Sequence, residues 1–227
     1  MYIAFIVVLF AACAVFAALY MKATKNNDYD KAIIVKGLAT ICCIIISGIA
    51  VFHTNSRAFA VLVVFGVFFG FLGDEFLALR YIFRDKFNEW FLAGSAAFLV
   101  GHIFYLIALY GIAPKAWMLA VPLTVGLLIA DYFATKKLGM KLGKLTLPLG
   151  VYAAIVCFMA CTSLSVCIFS FSFGTLLFAI GGLCFGASDC ILSIQCFSGN
   201  PTYKKSLILH ILYWSAQLLI AISPLFI

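Results

Sequence analysis

Eight apolar stretches of about 19–25 residues run along the chain, separated by short segments that carry most of its charge. They fall at about 2–21, 32–51, 58–79, 90–110, 116–134, 145–166, 172–196 and 206–226. In hydrocarbon every backbone polar group must be paired, which leaves helices or a closed barrel. Barrel strands would alternate apolar and polar positions over about ten residues. These runs are unbroken and about twice that long, so the pattern predicts an all-α membrane protein with eight transmembrane helices. The first stretch has no basic residues before it and no clear small-residue cleavage site, and is read as a retained span.

The polar positions inside the stretches carry the chemical information. Asp74 lies near the end of the third, in Phe71-Leu72-Gly73-Asp74, and Asp189 lies in the seventh, in Gly186-Ala187-Ser188-Asp189. A carboxylate at that depth costs roughly 2.5–3.5 kcal/mol on insertion scales, so it is expected to face a polar cavity and act there. Gly66, Gly70 and Asp74 fall on one helical face, as do Gly182, Gly186 and Asp189, which places each acid on a face suited to close helix packing. Ser95, His102 and Tyr105 share a face of the fourth stretch, and Ser206, His210, Tyr213 and Gln217 form a polar stripe on the eighth. Lys36 lies in the second stretch and Tyr152 in the sixth. At about 1.5 Å per residue from the basic loops, Lys36 lies roughly 8 Å deep, Asp74 about 9 Å, Tyr152 and Asp189 about 12 Å, and His102, Tyr105 and Gln217 roughly 18–23 Å. These residues form one zone biased to one half of the bilayer. His53 and Asp131 read as boundary residues.

An Asp near the end of one stretch followed by His-x-x-Tyr in the next occurs twice: Asp74 with His102 and Tyr105, then Asp189 with His210 and Tyr213. This predicts a single bundle of two parallel four-helix repeats, residues 1–111 and 112–227, with Asp74 superposing on Asp189.

Composition agrees with the pattern. The chain is 66% hydrophobic and 10% charged, more apolar than a soluble domain of 227 residues can bury. Its nine cysteines lie in or beside apolar runs without Cys-x-x-Cys, and read as small packing residues rather than a disulfide or metal framework. The charge is lopsided. Lys22, Lys25, Lys31, Arg80, Arg84, Lys86, Lys136, Lys137, Lys141, Lys144, Lys204 and Lys205 fall on one side, against Arg57 and Lys115 on the other. The positive-inside rule makes the first set cytoplasmic and both termini external. The net charge of +7 is then accounted for by topology and anionic lipid head groups, with no nucleic-acid partner.

Lys36, Leu72-Gly73-Asp74 with Leu77, Gly94 through Phe98-Leu99 to His102 and Tyr105, Pro148 with Tyr152, Ser188-Asp189 with Leu192, and Tyr213, Ala216-Gln217 and Leu219-Ile220 occur in an order that resembles the YhhN-like membrane proteins, whose animal members are lysoplasmalogenases. One position departs from the family, which usually has Lys-Pro where this chain has Lys36-Gly37. The resemblance implies an eight-helix bundle that hydrolyses the vinyl ether of a lysoplasmalogen, without a cofactor, to a fatty aldehyde and a glycerophospho-base. It also implies a site at the two Asp residues.

That chemistry suits the residues. A carboxyl group withdrawn from water favours its neutral form and can donate a proton to the vinyl carbon. A second, ionised carboxylate can stabilise the oxocarbenium ion and orient water, as in glycoside hydrolysis. Asp189 counts deeper and has no charged neighbour in sequence, which favours it as the acid; Asp74 has Glu75 beside it. Lys36 and nearby basic residues suit a lipid phosphate, while His102, Tyr105, Tyr152, Tyr213 and Gln217 suit orientation of water or the glycerol hydroxyl. Two other readings use the same residues: a proton-coupled or lipid carrier built on the Asp pair, and a metal-dependent hydrolase with Asp74, Asp189, His102 and His210 as ligands. The latter lacks His-x-x-x-His and His-Glu-x-x-His.

Overall fold

The computed structural model of the chain describes residues 2–227. The described residues form eight long helices: α1 Tyr2–Lys25, α2 Tyr29–His53, α3 Arg57–Ile82, α4 Phe87–Ile112, α5 Trp117–Lys137, α6 Thr146–Phe169, α7 Phe173–Phe197 and α8 Tyr203–Ile222. Each is long and apolar enough to cross a membrane. Helices α2, α3 and α4 start before and end beyond their apolar stretches, and α8 starts before its own, because backbone pairing continues past the hydrocarbon edge wherever a cap is available. Asp28 caps α2 by accepting from the Lys31 amide, and Thr202 caps α8 by accepting from the Lys205 amide. Lys22 and Lys25, Arg80, and Lys136 and Lys137 occupy the last turns of α1, α3 and α5, where cations complement the helix dipole.

Short connections make successive helices antiparallel neighbours, except α4 and α5, which do not pack against one another. Across the two halves α4 packs on α6 and α8 packs on α2, two pairings that exchange under a shift of four helices. Helices α1 and α5 lie at the periphery, with few buried side chains. The proline inside α5, Pro122, is tolerated in a helix whose neighbours supply most of the bundle's packing.

Small residues bring α3 and α4 together. A Cβ on Gly101 would lie 2.8 Å from the Gly66 carbonyl oxygen, and one on Gly94 would lie 2.7 Å from Leu77. Gly73 leaves room for the Phe98 ring and Gly66 for the Tyr105 ring. On α7 the close approaches are at Gly181, against Ile220 of α8, and Gly182, against Ser163 of α6. Gly186, expected to share that role, makes only ordinary contacts, since it sits where α6 offers Ala160 and Val156 at van der Waals distance. Helix α2 runs unbroken through Lys36-Gly37. A side chain at Gly37 would meet Glu75 Oε1 at 2.7 Å and Phe71 at 3.3 Å, so glycine there admits those α3 side chains.

Candidate functional site

One cavity of about 280 Å³ opens within the bundle at the end that carries the basic loops. Both intramembrane acids line it, together with Lys36, Arg80, His210 and Tyr213. On its inner side Phe98 and Tyr213 meet Phe185, with ring centroids 5.6–6.1 Å apart, and His102 packs edge-on against Phe185 at 4.6 Å. This aromatic stack is the cavity floor. It confines polar chemistry to one half of the bundle.

The Asp74 carboxyl group has three side-chain partners from two helices. Lys36 Nζ lies 3.0 Å from its Oδ1 and also donates to its backbone carbonyl at 3.3 Å. Thr40, one turn beyond Lys36 on α2, donates to Oδ2 at 2.7 Å, and the Tyr213 hydroxyl of α8 donates to the same oxygen at 2.7 Å. Gln217, one turn beyond Tyr213, donates to the Tyr213 oxygen at 2.8 Å, which commits the phenol proton to Asp74. A cation and two hydroxyl donors converge on this carboxyl group, with about one acceptor position left on Oδ1. Lys36 and Asp74 form the one ion pair among the described residues. The pair compensates two charges that would be costly to bury separately.

Asp189 is bonded differently. The Tyr152 hydroxyl of α6 donates to its Oδ2 at 2.5 Å. No cation pairs with it, and Oδ1 has no protein partner. A tyrosine proton directed at Oδ2 fixes that oxygen as an acceptor. If the carboxyl group is protonated, the proton therefore sits on Oδ1. Asp189 is half-buried.

Lys36, Asp74, Asp189 and Tyr213 thus meet at the cavity, and Tyr152 and Gln217 stand directly behind the two acids. His102 and Tyr105 do not line it. The His102 Nδ1 donates to the Phe98 carbonyl at 2.6 Å, its Nε2 is unpartnered and buried, and so is the Tyr105 hydroxyl. Both sit beyond the aromatic floor, because Gly66 admits Tyr105 into the α3–α4 seam. His210 forms the wall instead: its Nδ1 donates to the Ser206 carbonyl at 2.7 Å, leaving Nε2 as an acceptor. Thr40 and Arg80 were not singled out from sequence. Thr40 has a legible signal, four residues after an intramembrane lysine. Arg80 was masked by its place in a basic loop segment. His53 ends α2 and Asp131 lies inside α5, nearly two turns before its end; both are exposed. Among the described residues no three His, Cys, Asp or Glu side chains gather as a metal site would require, and the nine cysteines are free thiols.

Eight apolar helices around a half-depth cavity, with an ion pair and a second carboxyl group on its wall, define a multi-pass integral membrane protein with an internal polar site. The chain belongs to the YhhN family, whose model matches residues 31–224. That match spans α2 to the end of α8 and includes every residue of the cavity except Tyr20. No curated protein and no solved structure shows significant similarity to the chain.

Proposed function

We propose that the protein hydrolyses the vinyl ether bond of a lysoplasmalogen, releasing a fatty aldehyde and a glycerophospho-base. The observation that carries this reading is the unequal bonding of two carboxyl groups on one cavity. Asp74 is held by Lys36, Thr40 and Tyr213 with about one acceptor position left on Oδ1, whereas Asp189 has one phenol partner and a free oxygen. Acid and base roles are divided in this way when environments push two carboxyl groups apart.

In the proposed reaction Asp189 Oδ1 gives its proton to the vinyl carbon β to the ether oxygen, and the π electrons form the new C–H bond. The positive charge is shared between the ether oxygen and the adjacent carbon. A water that donates one hydrogen bond to Asp74 Oδ1 attacks that carbon and loses a proton to the Asp189 carboxylate. The resulting hemiacetal breaks its C–O bond as the ether oxygen takes that proton back and the hydroxyl proton returns to Asp189. The balance is one water consumed, one aldehyde and one glycerol hydroxyl formed. Tyr152 and Gln217 act through the acids, by holding Asp189 and Tyr213 in register.

The test is aldehyde release by purified protein from a lysoplasmalogen, with the saturated ether analogue as control. The saturated ether has no carbon that can be protonated to an oxocarbenium ion, so it is expected to bind and survive. Folded protein that leaves the vinyl ether intact would remove the hydrolase reading and leave the carrier, which uses the same carboxyl pair for proton exchange.

A further inference from the structure

Arg80 is a buried cation with no anion. It lies in the last turn of α3, is 5% exposed and lines the cavity. Its Nη2 donates to the Tyr81 hydroxyl at 3.1 Å, but Nε and Nη1 have no partner. Among the described residues no carboxylate pairs with it. The guanidinium is packed instead among the rings of Tyr81, Phe91 and Phe87, at 4.9, 5.2 and 5.7 Å from their centroids. Those contacts are weak compensation for a buried charge. Unlike lysine, arginine does not escape by losing its proton. Nε and one terminal nitrogen form a fork suited to two oxygens of a tetrahedral anion.

Lys36, the cation expected to meet the lipid phosphate, is committed to Asp74. We infer that Arg80 is the phosphate receptor of the cavity and fixes a lysophospholipid by its phosphodiester, with Nε and Nη1 donating to two phosphate oxygens. This rests on the lysophospholipid reading proposed above. Arg80 follows Asp74 by six positions along α3, about 9 Å of helix rise. That span is comparable to the distance from a phosphate across a glycerol backbone to an ether at the far carbon. Arg80 is therefore placed to hold the head group at the cavity mouth while the vinyl ether reaches the acids. It is a binding and positioning residue, remote from the reacting atoms.

The experiment measures binding rather than turnover. Wild-type protein, Arg80→Met and Arg80→Lys are purified in detergent and titrated with two non-cleavable ligands of equal chain length, a saturated-ether lysophospholipid and the corresponding alkylglycerol without phosphate. Inorganic phosphate is added as a competitor. Wild type is expected to prefer the phosphate-bearing ligand by about 10–100-fold, the range of charge-assisted hydrogen bonds. Arg80→Met should lose that preference while binding the alkylglycerol unchanged, and Arg80→Lys should keep part of it. Unchanged alkylglycerol binding shows that the methionine variant is folded. Inorganic phosphate should compete only with the phosphate-bearing ligand; equal competition against the alkylglycerol would overturn the assignment. So would a methionine variant that retains the full preference, or a wild type that has none. Loss of preference in a protein that cleaves no vinyl ether would support the Arg80 site and reject the hydrolase. Cleavage with preference intact in Arg80→Met would reject the Arg80 site alone.

Discussion

Asp189→Asn separates catalysis from packing. The asparagine carbonyl can still accept from Tyr152, whose hydroxyl is the one protein group bonded to the carboxyl group. What changes in stability is the difference between a charged or acidic partner and a neutral amide, about 1 kcal/mol. An interhelical amide also pairs readily in a membrane. What changes in chemistry is larger, because an amide cannot give a proton to carbon. Loss of a general acid lowers the rate by about 10²–10⁴-fold, or roughly 3–5 kcal/mol in the barrier. The two effects differ several-fold in energy, and that gap is the signature. The assay compares aldehyde release with thermal unfolding of the same detergent-purified samples. The expected result is an intact unfolding transition with activity reduced at least a hundredfold. Near wild-type turnover of a vinyl ether verified intact at the start would refute the role of Asp189 as acid. A collapsed unfolding transition would show instead that the carboxyl group holds α6 to α7.

Other outcomes follow from the same contacts. Asp74→Asn should abolish cleavage in a protein that still inserts and folds, read by the same pair of assays. Lys36→Met should destabilise by roughly 3–5 kcal/mol, since it leaves the Asp74 carboxylate buried without its cation; adding Asp74→Asn should restore most of the lost unfolding temperature but no activity. Gly66→Ala places a methyl group inside the Tyr105 ring and should cost about 1–3 kcal/mol, while Gly126→Ala, which meets nothing within 4 Å, should be neutral or slightly stabilising. Reporter fusions after residue 140 and at Ile227 should read as cytoplasmic and external, respectively, and a cytoplasmic C-terminus would overturn the orientation drawn from the basic loops.

The helices were legible because unbroken apolar runs admit few alternatives in a bilayer. Depth was legible too: counting residues from the basic loops placed Lys36, Asp74 and Asp189 in the half that holds the cavity. Azimuth was less so. His102 and Tyr105 share a face with each other, but whether that face meets the cavity or the α3–α4 seam depends on Gly66 and Gly101, and thus on the partner helix. Counting depth also grouped His102, Tyr105 and Gln217 as deeper than the acids, and the structure puts all three off the cavity wall. Tyr213 reaches it because its hydroxyl extends from α8 to Asp74. Arg80 was hidden for a different reason. A basic residue at a helix end reads as a topology signal, and only packing shows that its guanidinium is buried without a partner.

Charge compensation ties the site together. Lys36 and Asp74 cancel one another, so neither determines the charge of a bound ligand. That leaves Asp189, which has no cation, and Arg80, which has no anion, lining the same cavity. On the roles proposed for them, a ligand that suits both brings an anion to Arg80 and a proton acceptor to Asp189. A free fatty acid brings the anion without an acceptor at the right remove, and a neutral alkylglycerol brings an ether without the anion. A lysophospholipid with a vinyl ether carries both, separated by its glycerol backbone, with an acyl-length chain to lie against apolar side chains. The same bookkeeping explains why the ion pair is retained although a hydrophobic pair would often be no less stable. Lys36 fixes the Asp74 carboxyl group at 3.0 Å, and in the proposed reaction that leaves Asp189, with its one phenol partner, as the group that gives the proton. Without Lys36 the Asp74 carboxyl group would be buried with two hydroxyl donors and no cation, a costly arrangement, and the division of labour proposed for the two acids would lose its asymmetry.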